Sequence, residues 1–315
     1  MKKILVTLPV NAEHKQVLAE ALGGDASHEL VYTEGRAPTP EELADASAVI
    51  GIFGRELLPH AGKLEWLQLS WAGSDAFTAP GVLRKDILLT CAVGAYGLAV
   101  SEHMLAQTFA LIRRFGQYLR NQVRHEWKVM GQVTSVEGSV IAVLGPGDIG
   151  GDYARKVKAL GAHVIGLRKH NREKPPFLDE QYLISELDAV LPRADIVAMV
   201  LPGSPETDGI MDGRRLRLMK PGAFLINAGR GTAIDLEALK AVLREGRLAG
   251  AALDVTSPEP LPADDALWDF DNVIITPHIA GQLLLPETLN RIIRIAAENL
   301  SRWLRGEALR NVVPH

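Results

Sequence analysis

The stretch SVIAVLGPGDIGGDYARKVKALG, residues 139–161, carries the clearest fold signal in the chain. A short apolar run of strand length leads into the glycine-rich turn GPGDIG, and a helical pattern follows. In such a unit the first glycine permits a tight turn, the second lets a phosphate approach the backbone, and the third lets helix and strand pack closely. The helix N-terminus then offers free N–H groups and a positive dipole end. The pattern predicts a dinucleotide-binding turn, with an ordinary glycine-rich turn as the alternative.

Short apolar runs alternate with helical patterns through most of the chain. Because strands that alternate with helices form parallel sheets covered on both faces, we predict an α/β fold with two such sheets. The predicted strands lie at 4–10, 29–32, 48–53, 64–70, 87–93, 139–145, 163–167, 194–202, 223–229, 249–255 and 272–277.

Helix start signals, and changes in the alternation of strand and helix patterns, suggest how the chain is divided into domains. Thr39 is expected to cap a helix whose first residue is proline, and the last helix is expected to begin at Pro286. A long helical stretch is predicted from Ser101, as its N-cap, to about Arg124. We place the domain boundaries where the alternation of strand and helix patterns changes. This gives one domain of 1–100 plus 284–315 and another of 101–283.

Composition narrows the function classes. The chain has 315 residues, of which 47% are hydrophobic and 23% charged, and 38 acids against 34 bases give a net charge of −4. This balance gives no reason to expect nucleic acid or an anionic membrane as a partner. The single cysteine, Cys91, rules out an intrachain disulfide and is expected to be buried. We expect a cytoplasmic protein, since no signal peptide or membrane span is recognisable. We also expect no metal site.

The strand end VIGLRKHNR, residues 164–172, carries the basic residues Arg168, Lys169, His170 and Arg172. It follows the glycine turn by roughly 20 residues, where a dinucleotide fold usually offers an acid to the adenosine ribose. Arginine cannot accept a hydrogen bond, but its guanidinium can hold a phosphate in a bidentate manner. We therefore predict NADP(H) over NAD(H), with Lys169 and Arg172 as helpers. The alternative is a solvated basic loop.

Three polar residues follow apolar strands, at the edge where open α/β sheets bind ligands. Arg230 follows AFLINAG, Glu259 comes soon after AGAALDV, and His278 comes just after NVIIT. Each one alone has an ordinary interpretation: a surface ion pair, a solvated acid or a structural histidine. Because all three lie downstream of a dinucleotide turn and beside Gly or Pro, they are candidates for a catalytic group.

These segments together resemble the D-isomer-specific 2-hydroxyacid dehydrogenase family, in order and spacing, over nearly the whole chain. The resemblance implies two Rossmann-like or flavodoxin-like doubly wound parallel-sheet domains with an interdomain active-site cleft. It makes 101–283 the dinucleotide-binding domain and the remainder the substrate domain, with a homodimer formed through the helical stretch after residue 100. The matching segments are GPGDIG, LPGSPET (201–207), INAGRG (226–231), ALDVTSPEP (252–260), NVIITPHIAG (272–281) and the C-terminal LRGEALRNVV.

The resemblance also implies residue roles. His278 is the acid/base, Glu259 pairs with it and favours the imidazolium, and Arg230 holds the substrate carboxylate. Asp254 is expected to accept from the nicotinamide amide. The expected cofactor contacts are Gly145, Gly147, Asp148, Ile149, Gly150, Arg168, Lys169, Arg172, Leu201, Pro202, Thr207, Ala228, Gly229, Asp254 and Gly281. The expected substrate contacts are Arg230, Arg55 and the backbone near Ala72 and Gly73.

The expected substrate is a small 2-keto or 2-hydroxy acid such as glyoxylate or hydroxypyruvate. A phosphorylated substrate would want several cations, yet Ile52 and Phe53 beside Arg55 are apolar. Phosphite-oxidising relatives carry a lysine where Ala72 stands, which counts against that activity. Two alternatives stay open: a phosphoglycerate dehydrogenase-like enzyme and an NAD(H)-binding corepressor-like sensing module.

Overall fold

The computed structural model describes residues 1–170 and 173–315, and the chain divides into two compact units. One unit comprises Met1–Tyr96 and Leu283–His315, and the other comprises Gly97–Gln282. Each unit contains one β-sheet, and every pair of neighbouring strands in either sheet is parallel. The prediction of an α/β fold with two parallel sheets is therefore confirmed.

The first unit is a five-stranded doubly wound sheet. Its strands are β1 (Lys2–Val6), β2 (His28–Tyr32), β3 (Ala46–Gly51), β4 (Trp66–Leu69) and β5 (Leu88–Thr90). Its helices are α1 (Ala12–Leu22), α2 (Pro40–Asp45), α3 (Asp75–Thr78), the 3₁₀ helix Arg55–His60 and the C-terminal helix Pro286–Leu304. The strand order β2-β1-β3-β4-β5 is that of flavodoxin-like folds. The C-terminal helix packs against α1, although the two lie at opposite ends of the chain.

Local sequence explains two of these helix starts. The Thr39 side chain accepts from the backbone N–H of Glu42 at 3.3 Å, and the Glu42 carboxylate accepts from the Thr39 N–H at 2.8 Å. This reciprocal capping box confirms Thr39 as the cap of α2. The C-terminal helix begins at Pro286, as predicted.

The second unit is a seven-stranded sheet with helices on its faces. Its helices are α4 (Gly97–Ile112), α5 (Phe115–Val123), α6 (Asp148–Ala159), α7 (Leu187–Val190), α8 (Gly213–Leu218) and α9 (Leu236–Arg244). Its strands are β6 (Val140–Leu144), β7 (His163–Arg168), β8 (Glu180–Leu183), β9 (Ile196–Met199), β10 (Phe224–Asn227), β11 (Gly250–Leu253) and β12 (Val273–Ile275). In the order β12-β11-β10-β9-β6-β7-β8 the chain reverses direction of growth between β6 and β9, which makes a topological switch point there.

Two details of the second unit differ from the sequence prediction. Ser101 is not an N-cap: α4 begins at Gly97, and the buried Ser101 hydroxyl donates to Leu98 O inside the helix. The long helical stretch is also not one helix, because Arg114 takes a left-handed backbone conformation, with φ +59°, and separates α4 from α5. Helical periodicity continues across that break, so the pattern alone did not reveal it.

Strand β8 was missed because Glu180–Leu183 is short, partly polar and half-buried throughout. It pairs with β7 at the edge of the sheet, whereas β9, β10 and β11 are the mainly buried apolar strands that the sequence predicted. Cys91 is buried, and burial raises the pKa of its thiol. Within the described residues no helix is both long and apolar enough to cross a bilayer.

Candidate active site

The glycine turn joins β6 to α6 at the switch point of the sheet. Gly145 has φ +87°, and a Cβ there would lie 2.8 Å from Val200 O, so no other residue fits without a shift. A Cβ at Gly150 would collide with the Gly145 carbonyl. Gly147, in contrast, faces open space within 4 Å of where its Cβ would stand. Two glycines thus shape the turn, and the third leaves room for a ligand to approach the backbone.

These features fit a dinucleotide. The first turn of α6, with Asp148 and Ile149 both partly exposed, presents backbone N–H groups that have no acceptor within the helix. The positive end of the helix dipole lies at the same place. A pyrophosphate would therefore find donors, favourable charge and open space beside Gly147.

The basic strand end lies next to this turn, because β7 pairs with β6. The Arg168 Nη2 donates to Pro146 O at 2.5 Å, and its Nε is buried with no hydrogen-bond partner among the described residues. Lys169 is exposed, with its Nζ 3.3 Å from Glu206 Oε1. A Ser204 hydrogen bond and, to a lesser extent, Lys169 lower the pKa of Glu206 to about 2. His170 is exposed, and Arg172 lies outside the described residues.

One hydroxyl makes several of the hydrogen bonds that hold the loop after β9. Thr207 Oγ1 donates to Pro202 O at 2.7 Å and accepts from Ser204 N at 3.0 Å. The hydroxyl therefore shapes the loop that leads away from the buried Leu201. A Cβ at Gly229 would lie 2.7 Å from Leu201 O, so the loops after β9 and β10 pack closely together.

Arg230 sits in a loop fixed by its own backbone contacts. Asn227, fully buried at the end of β10, donates from Nδ2 to Arg230 O at 2.9 Å and accepts from Gly229 N at 3.0 Å. A Cβ at Gly231 would collide with Thr256 O, so this loop also packs against the one after β11. The Arg230 side chain is partly buried, and Ala228, also partly buried, lies just before it. The sequence interpretation missed Asn227, although a polar residue ending an apolar strand was a usable signal.

The loops after β11 and β12 bring Glu259 and His278 together. The His278 Nδ1 lies 2.9 Å from Glu259 Oε2, and the other carboxylate oxygen accepts from Thr256 N at 3.0 Å. A carboxylate can only accept when ionised, so Nδ1 carries the proton of this hydrogen bond and Nε2 is the nitrogen outside the pair. His278 has φ +51°, and its N–H donates to Asp254 O at 2.8 Å. The structure thus places the two residues in contact, while their catalytic roles stay a prediction.

Asp254 holds the loop that carries His278. Its side chain is 2% exposed and accepts from Thr276 Oγ1 at 2.6 Å, Ile279 N at 3.0 Å and Ala280 N at 3.1 Å. Gly281, partly exposed, ends this loop. The hydrogen bonds of the Asp254 side chain given above all come from protein groups. Its contact with a nicotinamide amide stays a prediction.

The predicted substrate residues of the first unit lie in two of its loops. Ala72 and Gly73 are partly exposed in the segment between β4 and α3, where Ala92 N donates to Trp71 O at 2.8 Å. Arg55 is exposed at the start of a 3₁₀ helix and reaches Ala76 O at 3.4 Å. Their part in substrate binding stays a prediction.

A parallel sheet with a glycine turn at its switch point, and an imidazole–carboxylate pair at neighbouring strand ends, is the arrangement of a dinucleotide-dependent oxidoreductase. The family model described as D-isomer specific 2-hydroxyacid dehydrogenase, NAD binding domain, matches residues 105–280. The chain belongs to the D-isomer-specific 2-hydroxyacid dehydrogenase family, as the sequence motifs indicated.

Similar proteins within the family differ in their named activity. D-3-phosphoglycerate dehydrogenase of Methanocaldococcus jannaschii is 30% identical, and the match covers 99% of this chain but 59% of that protein. A family protein from Aeromonas salmonicida has a crystal structure with TM-score 0.86 and 29% identity, covering 99% of this chain and 98% of that one. An NADPH-dependent glyoxylate/hydroxypyruvate reductase from Sinorhizobium meliloti, solved with NADP and sulfate, has TM-score 0.81 and 26% identity, covering 99% and 98%.

Proposed function

We propose that this protein transfers a hydride between NADP(H) and a small 2-keto or 2-hydroxy acid of the glyoxylate or hydroxypyruvate type. The observation that carries the proposal is the 2.9 Å contact between His278 Nδ1 and Glu259 Oε2, at the strand ends of the sheet that bears the glycine turn. When bound, the nicotinamide supplies or takes up the hydride.

His278 is proposed as the acid/base. Because Glu259 holds the proton on Nδ1, the opposite nitrogen, Nε2, is the one that can give a proton to a carbonyl oxygen or take it from a hydroxyl. The imidazolium is the form that donates during reduction, and the neutral ring is the form that accepts during oxidation. Thr256 N fixes the second oxygen of Glu259, so the pair has a defined orientation.

Arg230 is proposed to hold the substrate carboxylate. Its guanidinium can form two parallel hydrogen bonds to a carboxylate, which orients the neighbouring carbonyl. Asn227 and the close approach at Gly231 support this role, because they fix the backbone from which the side chain extends.

NADP(H) is proposed over NAD(H) because of Arg168. The strand end offers a partly buried guanidinium where an NAD-specific site would offer a carboxylate. A guanidinium can hold a 2′-phosphate through paired N–H donors, which a carboxylate cannot do. The Sinorhizobium relative, described as NADPH-dependent, supports the same choice. NAD can still serve as a weaker cofactor.

A homodimer is proposed from the surface of the second unit. Large apolar side chains are exposed in and just after α5, and water-exposed apolar patches mark protein interfaces. They are Phe115, Tyr118, Leu119, Val123, Trp127 and Val129. Light scattering on a size-exclusion column is expected to give twice the chain mass of 34.2 kDa, and a monomer at micromolar concentration would contradict this.

One kinetic experiment tests the activity. Values of kcat/KM are measured with NADPH and with NADH on glyoxylate, hydroxypyruvate, pyruvate, phenylpyruvate and 3-phosphohydroxypyruvate. The proposal expects NADPH with glyoxylate or hydroxypyruvate to be best. A preference for the phosphorylated acid would favour phosphoglycerate chemistry, which the Methanocaldococcus relative makes the second candidate. Tight cofactor binding with no turnover of any acid would favour a sensing module.

A further inference from the structure

The loop from Thr276 to Ala280 is folded around one buried carboxylate. Asp254 takes three hydrogen bonds from this loop, and its own carbonyl accepts the N–H of His278. His278 lies inside the loop in the left-handed region, with φ +51°, a conformation that a non-glycine residue keeps only when its surroundings hold it there. The placement of the imidazole therefore depends on how firmly the Asp254 carboxylate is held.

A hydroxyl links that carboxylate to α4. Thr276 Oγ1 donates its single proton to Asp254 Oδ1, at 2.6 Å. Its lone pairs must then accept from any further partner. His103 Nε2 lies 3.0 Å away, and the amide of Gln107 lies at 3.4 Å. His103 Nε2 therefore carries a proton and donates to Thr276, whether the ring is neutral or charged.

His103 also lies close to the carboxylate itself, with Nε2 3.6 Å from Asp254 Oδ1. Its side chain is 20% exposed, and it sits on a helix that packs along β10, β11 and β12, the strands whose ends carry the catalytic candidates. A largely buried polar side chain normally makes hydrogen bonds, since burying it without a partner costs more free energy than burying an apolar one.

We propose that His103 is a positioning residue for His278, acting through Thr276 and Asp254. The donor on His103 keeps the Thr276 hydroxyl turned toward Asp254, and Asp254 in turn holds the backbone of the loop. Without that donor only the longer contact with Gln107 orients the hydroxyl, its hydrogen bond to the buried carboxylate weakens, and the loop loosens. The effect on turnover rests on the proposed function, whereas the effect on the loop does not.

The test compares a variant that removes the donor with one that keeps it. His103→Leu has no donor, while His103→Gln places an amide N–H near the position of Nε2. We expect His103→Leu to lower kcat about tenfold or more with NADPH and glyoxylate, because small displacements of a catalytic group are costly. The dissociation constant for NADPH should change much less than kcat does, since most of the expected cofactor contacts, the glycine turn among them, lie outside this loop. His103→Gln should recover most of the lost kcat.

The route through Thr276 has its own pair of variants. Thr276→Val removes the hydroxyl, and Thr276→Ser keeps it. We expect Thr276→Val to lower kcat as His103→Leu does, Thr276→Ser to stay near wild type, and the double variant His103→Leu/Thr276→Val to lose no more than the worse single one, as residues acting in series do. Additive losses would show that the two residues act separately and would overturn the route.

A readout independent of turnover separates this proposal from the proposed function. Amide hydrogen exchange of Ile279 and Ala280, which donate to Asp254, should be faster in His103→Leu and near normal in His103→Gln. Glu102→Gln, an exposed change on the same helix, is the matched control and should alter neither exchange nor kcat. If no keto acid is reduced but exchange still responds to His103, the positioning role stands and the proposed function fails. Unchanged exchange, or wild-type kcat in His103→Leu, overturns the positioning role.

Discussion

The two halves of the second unit's sheet hold their charged residues in different ways. At the end of β7, the Arg168 side chain makes one hydrogen bond to the described residues, and Lys169 has an exposed ion pair. In the loops after β10 and β11, the Asn227 side chain holds the Arg230 backbone carbonyl, and the Thr256 N–H holds the Glu259 carboxylate. A group that contacts a reacting atom needs a fixed position. A group that binds a phosphate away from that atom needs N–H donors that the protein does not already use.

The largest effect on turnover is expected in the loops after β10, β11 and β12, which hold the catalytic candidates. His278→Ala removes the proposed acid/base, so kcat should fall by about 10³-fold or more, while NADPH binding, measured by fluorescence titration, should be unchanged. Wild-type turnover at the pH optimum would contradict the assignment. Weakened NADPH binding in step with kcat would instead indicate that the loop had unfolded.

The hold on the Arg230 backbone is tested at Asn227. Asn227→Ala leaves Gly229 N and Arg230 O without their partner in a buried place, which should lower the free energy of unfolding by about 2 kcal/mol and kcat/KM for the keto acid by about tenfold or more. Urea unfolding and steady-state kinetics measure the two.

The matched control for this variant is Asn272→Ala, because Asn272 donates to Ala249 O at the opposite end of the same sheet. It should cost stability but not activity. Equal loss of activity in both variants would show that Asn227 acts only through general stability.

Changes at the end of β7 should have a smaller effect, and one that differs between the two cofactors. Arg168→Asp places a carboxylate where the ribose is expected, so kcat/KM for NADPH should fall about 10- to 100-fold, while that for NADH should hold or rise. Lys169→Ala should cost only a few-fold with NADPH, since Lys169 is exposed and already paired with Glu206. If both cofactors respond equally to Arg168→Asp, the strand end is a solvated loop without a part in cofactor choice.

The smallest effect concerns β8, beside the basic strand end. Hydrogen bonds from Arg193 and, to a lesser extent, His163 lower the pKa of Glu180 to about 2, from 4.5. Because the folded state holds the carboxylate ionised, this contribution is present above about pH 4.5 and is lost as the pH falls toward 2. Glu180→Gln should therefore cost about 1 kcal/mol or less in urea unfolding at pH 7, and nearly nothing near pH 2. An equal cost at both pH values would contradict this assignment.

Much of the fold was predictable because its signals are local. The apolar runs of β6, β9, β10 and β11 predicted central strands, since strands buried on both faces must be continuously apolar. The family was likewise predictable from its motifs and is confirmed by the match to residues 105–280. The break at Arg114 and the edge strand β8 were not predictable, because neither leaves a hydrophobic pattern of its own.

The sequence by itself determined which residues are candidates for the site. GPGDIG needs glycines for steric reasons that adjacent residues impose, and Arg230, Glu259 and His278 each follow a recognisable strand. Only the tertiary structure decided how they are held. Asp254 and Thr276 are 22 residues apart, and His103 and Thr276 are 173 residues apart. Their hydrogen bonds exist because the sheet sets β11 beside β12 and α4 packs across both, which no local pattern can encode.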